Sequence, residues 1–237
     1  MQQHSHPHSH HHDEEHLQSS DLLRDVVIGM SDGLTVPFAL AAGLSGAVAT
    51  SGIIVIAGIA EIAAGSIAMA LGGYLAGKTE QDHYESELKR EYAEVERIPE
   101  MEKQEVKDFF QGLGLSEELQ NNATEEIAKD KKQWVEFMMK FELGLDEPDP
   151  KRARNSALNI GVSYIVGGII PLSPYIFLHD SKEALKFSVV ATLICLFVFG
   201  YFKSKLTGVP VVSGAFKVML IGALAAGAAY GVALLFK

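Results

Sequence analysis

Five stretches of the chain stay apolar for roughly the twenty residues that a helix needs to cross a bilayer. They cover residues 26–49, 53–77, 155–177, 184–202 and 218–236. The first contains one charge, Asp32, and the second one, Glu61. The fourth contains only Lys186, near enough to its end to snorkel, and the third and fifth contain none. Runs of this length are a poor match to strands or to the core helices of a soluble domain. The pattern predicts an all-α membrane protein with five transmembrane helices.

Between the second and third spans the pattern changes. The second span runs into KTEQDHYESELKREYAEVER without a breaker, so a single helix is expected to leave the membrane intact. Ile98-Pro99 interrupts it, because the residue before a proline avoids the α region. A second helix is predicted over 100–111, ended by Gly112 and Gly114. A third is predicted over 116–143, with Ser116 as N-cap and Glu117 and Glu118 in its first turn. Gly144, Pro148 and Pro150 end it. The result is a three-helix insert with few aromatics for a core, a size that often relies on a partner chain. The implied organisation is a tail (1–21), two spans (22–77), the helical insert (78–150) and three further spans (151–237).

Charge is segregated in the same way. Mean hydropathy is positive, +0.14, although the chain carries 30 acidic and 20 basic residues. Residues 78–149 hold 21 of the acids against 10 of the bases, a net of −11, and the remainder nets +1. An acidic chain without a basic stripe speaks against a nucleic-acid partner. The single Cys195 excludes an internal disulfide framework. Seven of the nine histidines fall in HSHPHSHHHDEEH near the N-terminus, read as a disordered tail that binds metals loosely if at all. An acidic, His-rich leader is also the wrong start for a secretory signal. If all five spans cross, Arg24, Lys78, Lys151, Arg152, Arg154, Lys203, Lys205 and Lys217 share one side, against Lys182, Lys186 and Lys237 on the other. The positive-inside rule then puts the N-terminus and the insert in the cytosol and the C-terminus across the membrane.

Carboxylates inside a bilayer are costly, on the order of 2.5–3.5 kcal/mol for Asp at a helix centre, and they mark ion or proton pathways. Asp32 and Glu61 are such groups, and no other carboxylate is expected within either span. Gly29, Gly33 and Pro37 flank Asp32, so that helix can bend and expose carbonyls. Met30 and Met69 place thioethers near the same faces, where each also reads as ordinary packing. In the insert, Glu91 and Glu94 are three apart, as are Glu102 and Glu105, so each pair lies on one helix face. Met138 and Glu142 share a face of the third helix. On spacing alone these groups read as a solvated acidic face. The alternative is a site for divalent cations of intermediate softness, since like charges at this spacing repel unless a cation joins them.

SDGLTVPFALAAGLSGA in the first span, EIAAGSIAMALGGYLA in the second, FMMKFELGL before the third and NIGVSYIVGGIIPLSPY within it resemble the vacuolar iron transporter family. The likeness runs in the family's order from about Leu22 to the C-terminus. It implies a plant-type, proton-coupled antiporter moving ferrous iron from cytosol to vacuole for storage and detoxification. It further implies a homodimer of five-span subunits in the vacuolar membrane, with a cytosolic metal-binding domain on the extended second helix. Carried across, Asp32, Glu61 and Met69 match the family's translocation path. Glu91, Glu94, Glu102, Glu105, Met138 and Glu142 match its cytosolic metal site. Fe²⁺ is then substrate, with Mn²⁺, Co²⁺, Ni²⁺ and Zn²⁺ as further candidates, protons as counter-ion and no tightly bound cofactor.

Two other functions fit parts of the pattern. A divalent-metal channel or uniporter would use the same ligands without proton exchange. A di-iron ferroxidase would need two Glu-x-x-His pairs in one bundle, and only Glu80 with His83 supplies one. The expectation is a transporter, not an enzyme. Dimerisation is expected from small residues that allow close helix contact: Gly29, Gly33, Gly58, Gly65 and Gly72.

Overall fold

The computed structural model describes residues 16–235. The His-rich tail lies almost entirely outside them. Five helices are long and apolar enough to cross a membrane: α1 (His16–Ala47), α2 (Ser51–Arg97), α6 (Arg152–Phe177), α7 (Ser181–Leu206) and α8 (Val211–Leu235). Between α2 and α6 lie α3 (Pro99–Gly112), α4 (Glu117–Ile127), α5 (Lys131–Phe137) and a π-helical turn, Met138–Glu142. Among the described residues there is no strand, only an isolated bridge between Thr50 and Asp180. Residues 74–155 form one compact unit and the long apolar helices another.

The long helices keep large apolar side chains exposed, as a lipid-facing surface requires. On α2 these include Ile53, Ile56, Ile59, Ile67 and Leu71. Where the helices meet, glycine permits the approach. A Cβ on Gly29 would collide with the Ile160 carbonyl, and one on Gly33 with the Tyr164 backbone, so α1 lies directly on α6. Gly58 accommodates Leu172, and Gly65 the Tyr164 hydroxyl. The expectation that these glycines serve a contact between subunits is therefore corrected for four of them, which are spent on packing within the chain. Gly72 alone has open space beside it.

Pro37 in α1 and Pro171 and Pro174 in α6 lie inside helices that run on through them. The carbonyl of Pro171 accepts a bond from Ser188 Oγ at 2.7 Å, and Ser45 Oγ pairs with the Tyr175 hydroxyl at 2.9 Å. Neighbouring helices thus satisfy polar groups that hydrocarbon cannot. The α1–α2 and α6–α7 turns are stapled together by Ser51 N to His179 O (3.0 Å) and Ser181 N to Ala49 O (3.1 Å). Asp180 caps α7 by accepting from the amides of Lys182 and Glu183.

In the insert, α2 continues without interruption to Arg97, as predicted, and Pro99 opens α3 one residue before the expected start. The single third helix expected over 116–143 is instead three pieces. Asp130 accepts from the amides of Lys132 (2.8 Å) and Gln133 (3.1 Å), capping a new helix where no glycine or proline marks a break. The following turn widens to a π-helix, with Leu143 N bonded to Met138 O at 3.1 Å. Ser116 does stand at the N-cap of α4, but its side chain makes no capping bond. The core is also more aromatic than expected. Trp134 is buried with Val95, Val106, Val135, Met138 and Met139, and Tyr84, Tyr92, Phe110 and Phe137 pack around them. Phe109, Phe110, Phe137 and Phe141 stack with ring centroids 4.9–5.5 Å apart.

Candidate metal pathway and carboxylate cluster

Glu61 lies on α2 with Gly65 and Met69 following at four-residue intervals, one stripe of the helix. The Tyr164 hydroxyl of α6 donates to Glu61 Oε1. Gly65, one turn on, leaves the space that this hydroxyl occupies, and a Cβ there would stand 2.8 Å from Glu61 Oε1. Glu61 Oε2 is buried and has no hydrogen-bond partner. Asp32 lies beside Gly33, where α1 rests on the Tyr164 backbone, and within electrostatic reach of the same tyrosine. Tyr164 is therefore the element common to both intramembrane carboxylates. Met30 and Met69 are half-buried.

The expectation of one carboxylate in the first span needs correction. Helix α1 begins earlier than the apolar run, and Asp25 on it is only 1 % exposed. Ser156 Oγ donates to its Oδ1 at 3.0 Å and Asn159 Nδ2 to its Oδ2 at 3.4 Å. Asp25, Gly29 and Asp32 repeat every three or four residues, so a helical wheel drawn one turn further back would have shown the shared face.

Glu91 and Glu94 on α2, Glu102 and Glu105 on α3, and Glu142 at the π turn are close enough for their charges to act on one another. Met138 is fully buried in the insert core. Glu91 and Glu102 are each 2 % exposed, and the Oε2 of each is buried without a partner. Burial, then the charge of Glu105 and of Glu91, pushes Glu102 up to about 7. Glu142 is also pushed up to about 7, by the protein atoms crowding it and then by Glu105 and Glu91, although its outer surface stays open. Glu91 is raised by burial and Glu94, against the opposing pull of Arg90. Among the described residues no three His, Cys, Asp or Glu side chains already converge as a metal-holding group.

These raised carboxyls fix a sign for stability. Between about pH 4.5 and 7 the folded chain keeps a proton on Glu102 that the unfolded chain has released. That contribution is fully present below the unfolded value of 4.5 and is lost as pH rises through 7. With chelator present, thermal unfolding followed by Trp134 fluorescence should show a higher midpoint at pH 5.5 than at pH 7.5, by about a few degrees for a change on the order of 1 kcal/mol. Glu102→Gln should flatten this dependence, and an unchanged slope would count against the assignment.

Comparison with known proteins accounts for the pattern as a whole. The model of the VIT family matches residues 23–234. "Vacuolar iron transporter 1" of Tulipa gesneriana is 50 % identical over 93 % of this chain and 90 % of its own length. "Vacuolar iron transporter 1" of Arabidopsis thaliana is 49 % identical over 92 % of this chain and 87 % of its own. "Protein CCC1" of Saccharomyces cerevisiae is 36 % identical over 88 % of this chain and 67 % of its own. With five membrane-length helices in the order of the resemblance, and near-half identity to the plant proteins across almost the whole length, the chain belongs to the VIT family and to its plant type.

Proposed function

We propose that this chain carries ferrous iron from the cytosol into the vacuole in exchange for protons. The observation that carries the reading is Glu61, held through one oxygen by Tyr164 while its other oxygen is buried and unpartnered. Such an oxygen inside a membrane-length helix suits a cation or a proton, and not both at once. A carboxylate must release its proton to bind metal, so the two ions compete for one atom and an acidic vacuole draws metal in a single direction. The names of the tulip and Arabidopsis relatives specify vacuolar iron transport and support iron as substrate. The same carboxylate and thioether ligands suit Mn²⁺, Co²⁺, Ni²⁺ and Zn²⁺.

In this reading Asp32, Glu61 and Met69 line the translocation path. Glu91, Glu94, Glu102, Glu105, Met138 and Glu142 capture metal on the cytosolic side, and the distribution of Lys and Arg supports a cytosolic N-terminus and insert. The C-terminus is then luminal. Two subunits enclose the path, because five spans form a thin wall around it. Uptake of Fe²⁺ into liposomes loaded with acid tests the coupling. Flux should collapse when the pH gradient is dissipated, with protons leaving as metal enters. Undiminished flux without a gradient would make the protein a uniporter.

The glycine beside Glu61 offers a milder test. Gly65→Ala pushes a methyl into the Tyr164 hydroxyl and Glu61. Flux should fall by roughly ten- to a hundredfold, the usual effect of disturbing a group that orients a ligand.

A further inference from the structure

We infer that Arg90 is a resident cation of the acidic cluster: seated on Glu87, it also covers Glu91 and Glu94 until a divalent ion takes them, is then left to Glu87 alone, and so sets the metal concentration at which the cluster fills. The inference rests on the capture-site reading and deepens it.

Glu87, Arg90, Glu91 and Glu94 occupy two turns of α2, spaced so that Arg90 reaches all three acids. Its contacts are graded. Arg90 Nη2 lies 2.7 Å from Glu87 Oε2, its closest ion-pair contact. The same nitrogen is 3.6 Å from Glu91 Oε1, and Nε is 3.4 Å from Glu94 Oε2, longer ion-pair contacts. The tightest partner is thus the acid outside the proposed ligand set, and the looser two are proposed ligands. The inner side of the cluster is different. Glu91 Oε2 and Glu102 Oε2 are buried and unpartnered, on side chains whose charges act on one another. The guanidinium engages the outer oxygen of Glu91 and leaves the inner one for another cation.

An arginine suits this role because it never gives up its charge near neutral pH, so its opposition does not fade with acidity. Its side chain is half exposed, which leaves room to swing. A dication binding Glu91 and Glu94 meets this charge at close range, and the repulsion is twice that felt by a monovalent ion. Glu87 supplies the alternative partner that makes withdrawal inexpensive. In the empty cluster Arg90 offsets the repulsion among the acids, which explains a base set between them.

The test is Mn²⁺ titration of the full-length protein in detergent, at fixed pH and salt. Mn²⁺ needs no reductant. Trp134, the only tryptophan of the chain, is buried in the insert core and reads occupancy there rather than on the His-rich tail. Arg90→Gln should lower the half-saturating Mn²⁺ by about three- to tenfold, the effect of removing one half-exposed charge. Arg90→Lys, which keeps the charge, should stay within about twofold of wild type by the same electrostatic argument. Glu87→Gln should raise the half-saturating concentration by leaning Arg90 onto Glu91 and Glu94, and that effect should shrink in the double variant. Unchanged or weaker binding by Arg90→Gln would overturn the inference, as would a Glu87→Gln effect undiminished in the double variant. If Arg90→Gln fails to fold, Glu87→Gln decides: a half-saturating concentration that does not rise overturns the inference. Glu102→Gln separates the two levels of argument. If it leaves the Mn²⁺ titration intact, the capture site itself falls and Arg90 with it. If it weakens the titration while Arg90→Gln fails to tighten binding, only the Arg90 inference falls.

Discussion

Replacing Glu61 with alanine, or Asp32 with alanine, should reduce Fe²⁺ flux to background, a loss of about two orders of magnitude or more, since even groups that merely orient a ligand are worth roughly 10–100-fold. Glu61→Gln is the sharper variant. It retains an oxygen for the Tyr164 hydroxyl and nearly the same volume, while removing the site that exchanges metal for proton. It should purify in normal yield, because deleting a buried charge relieves desolvation. Tyr164→Phe should fall less, by about tenfold, as it removes one donor worth about 1.5 kcal/mol and leaves both carboxylates. Flux is measured in liposomes under an imposed pH gradient, with protein content quantified. If Glu61→Gln or Asp32→Ala transports normally, the path does not run through these groups.

Outer-site variants should fail differently. Glu102→Ala or Glu105→Ala removes one of several neighbouring carboxylates, so capture weakens while passage survives. Uptake should drop by about tenfold at low iron, the order expected for one charged contact, and recover at high iron. In the proposed capture site Glu102 and Glu142 are held near 7, so metal that binds there displaces protons from both. Capture by the wild type should therefore weaken steeply as pH falls below about 7, approaching tenfold per pH unit for each proton released. Glu102→Gln should make that slope shallower. An outer-site variant that stays inactive at saturating iron would remove the division into capture and translocation.

Local features of this protein were legible from residues alone. Five apolar runs, the unbroken passage of α2 into the insert and the stop at Ile98-Pro99 each depend on neighbours within a turn or two. Asp32 and Glu61 stood out because charge is costly in hydrocarbon wherever the helix leads. The break at Asp130 was missed because a side-chain cap competes with helix propagation and leaves no glycine or proline behind.

What only the tertiary structure decided is which groups meet. Tyr164 is 103 residues from Glu61, and no periodicity links a tyrosine on one helix to a carboxylate on another. Gly29, Gly33, Gly58 and Gly65 looked equally fit to contact a second subunit, and the packing of α1 and α2 on α6 consumed them instead. Asp25 became an interior residue through Ser156 and Asn159, whose helix lies over it. In the insert, the spacing of Glu91, Glu94, Glu102 and Glu105 predicted two acidic pairs. Folding α2, α3 and the π turn around Trp134 joined them into one cluster and buried Glu91 and Glu102, and that burial, which no local rule specifies, is what raises their affinity for a proton.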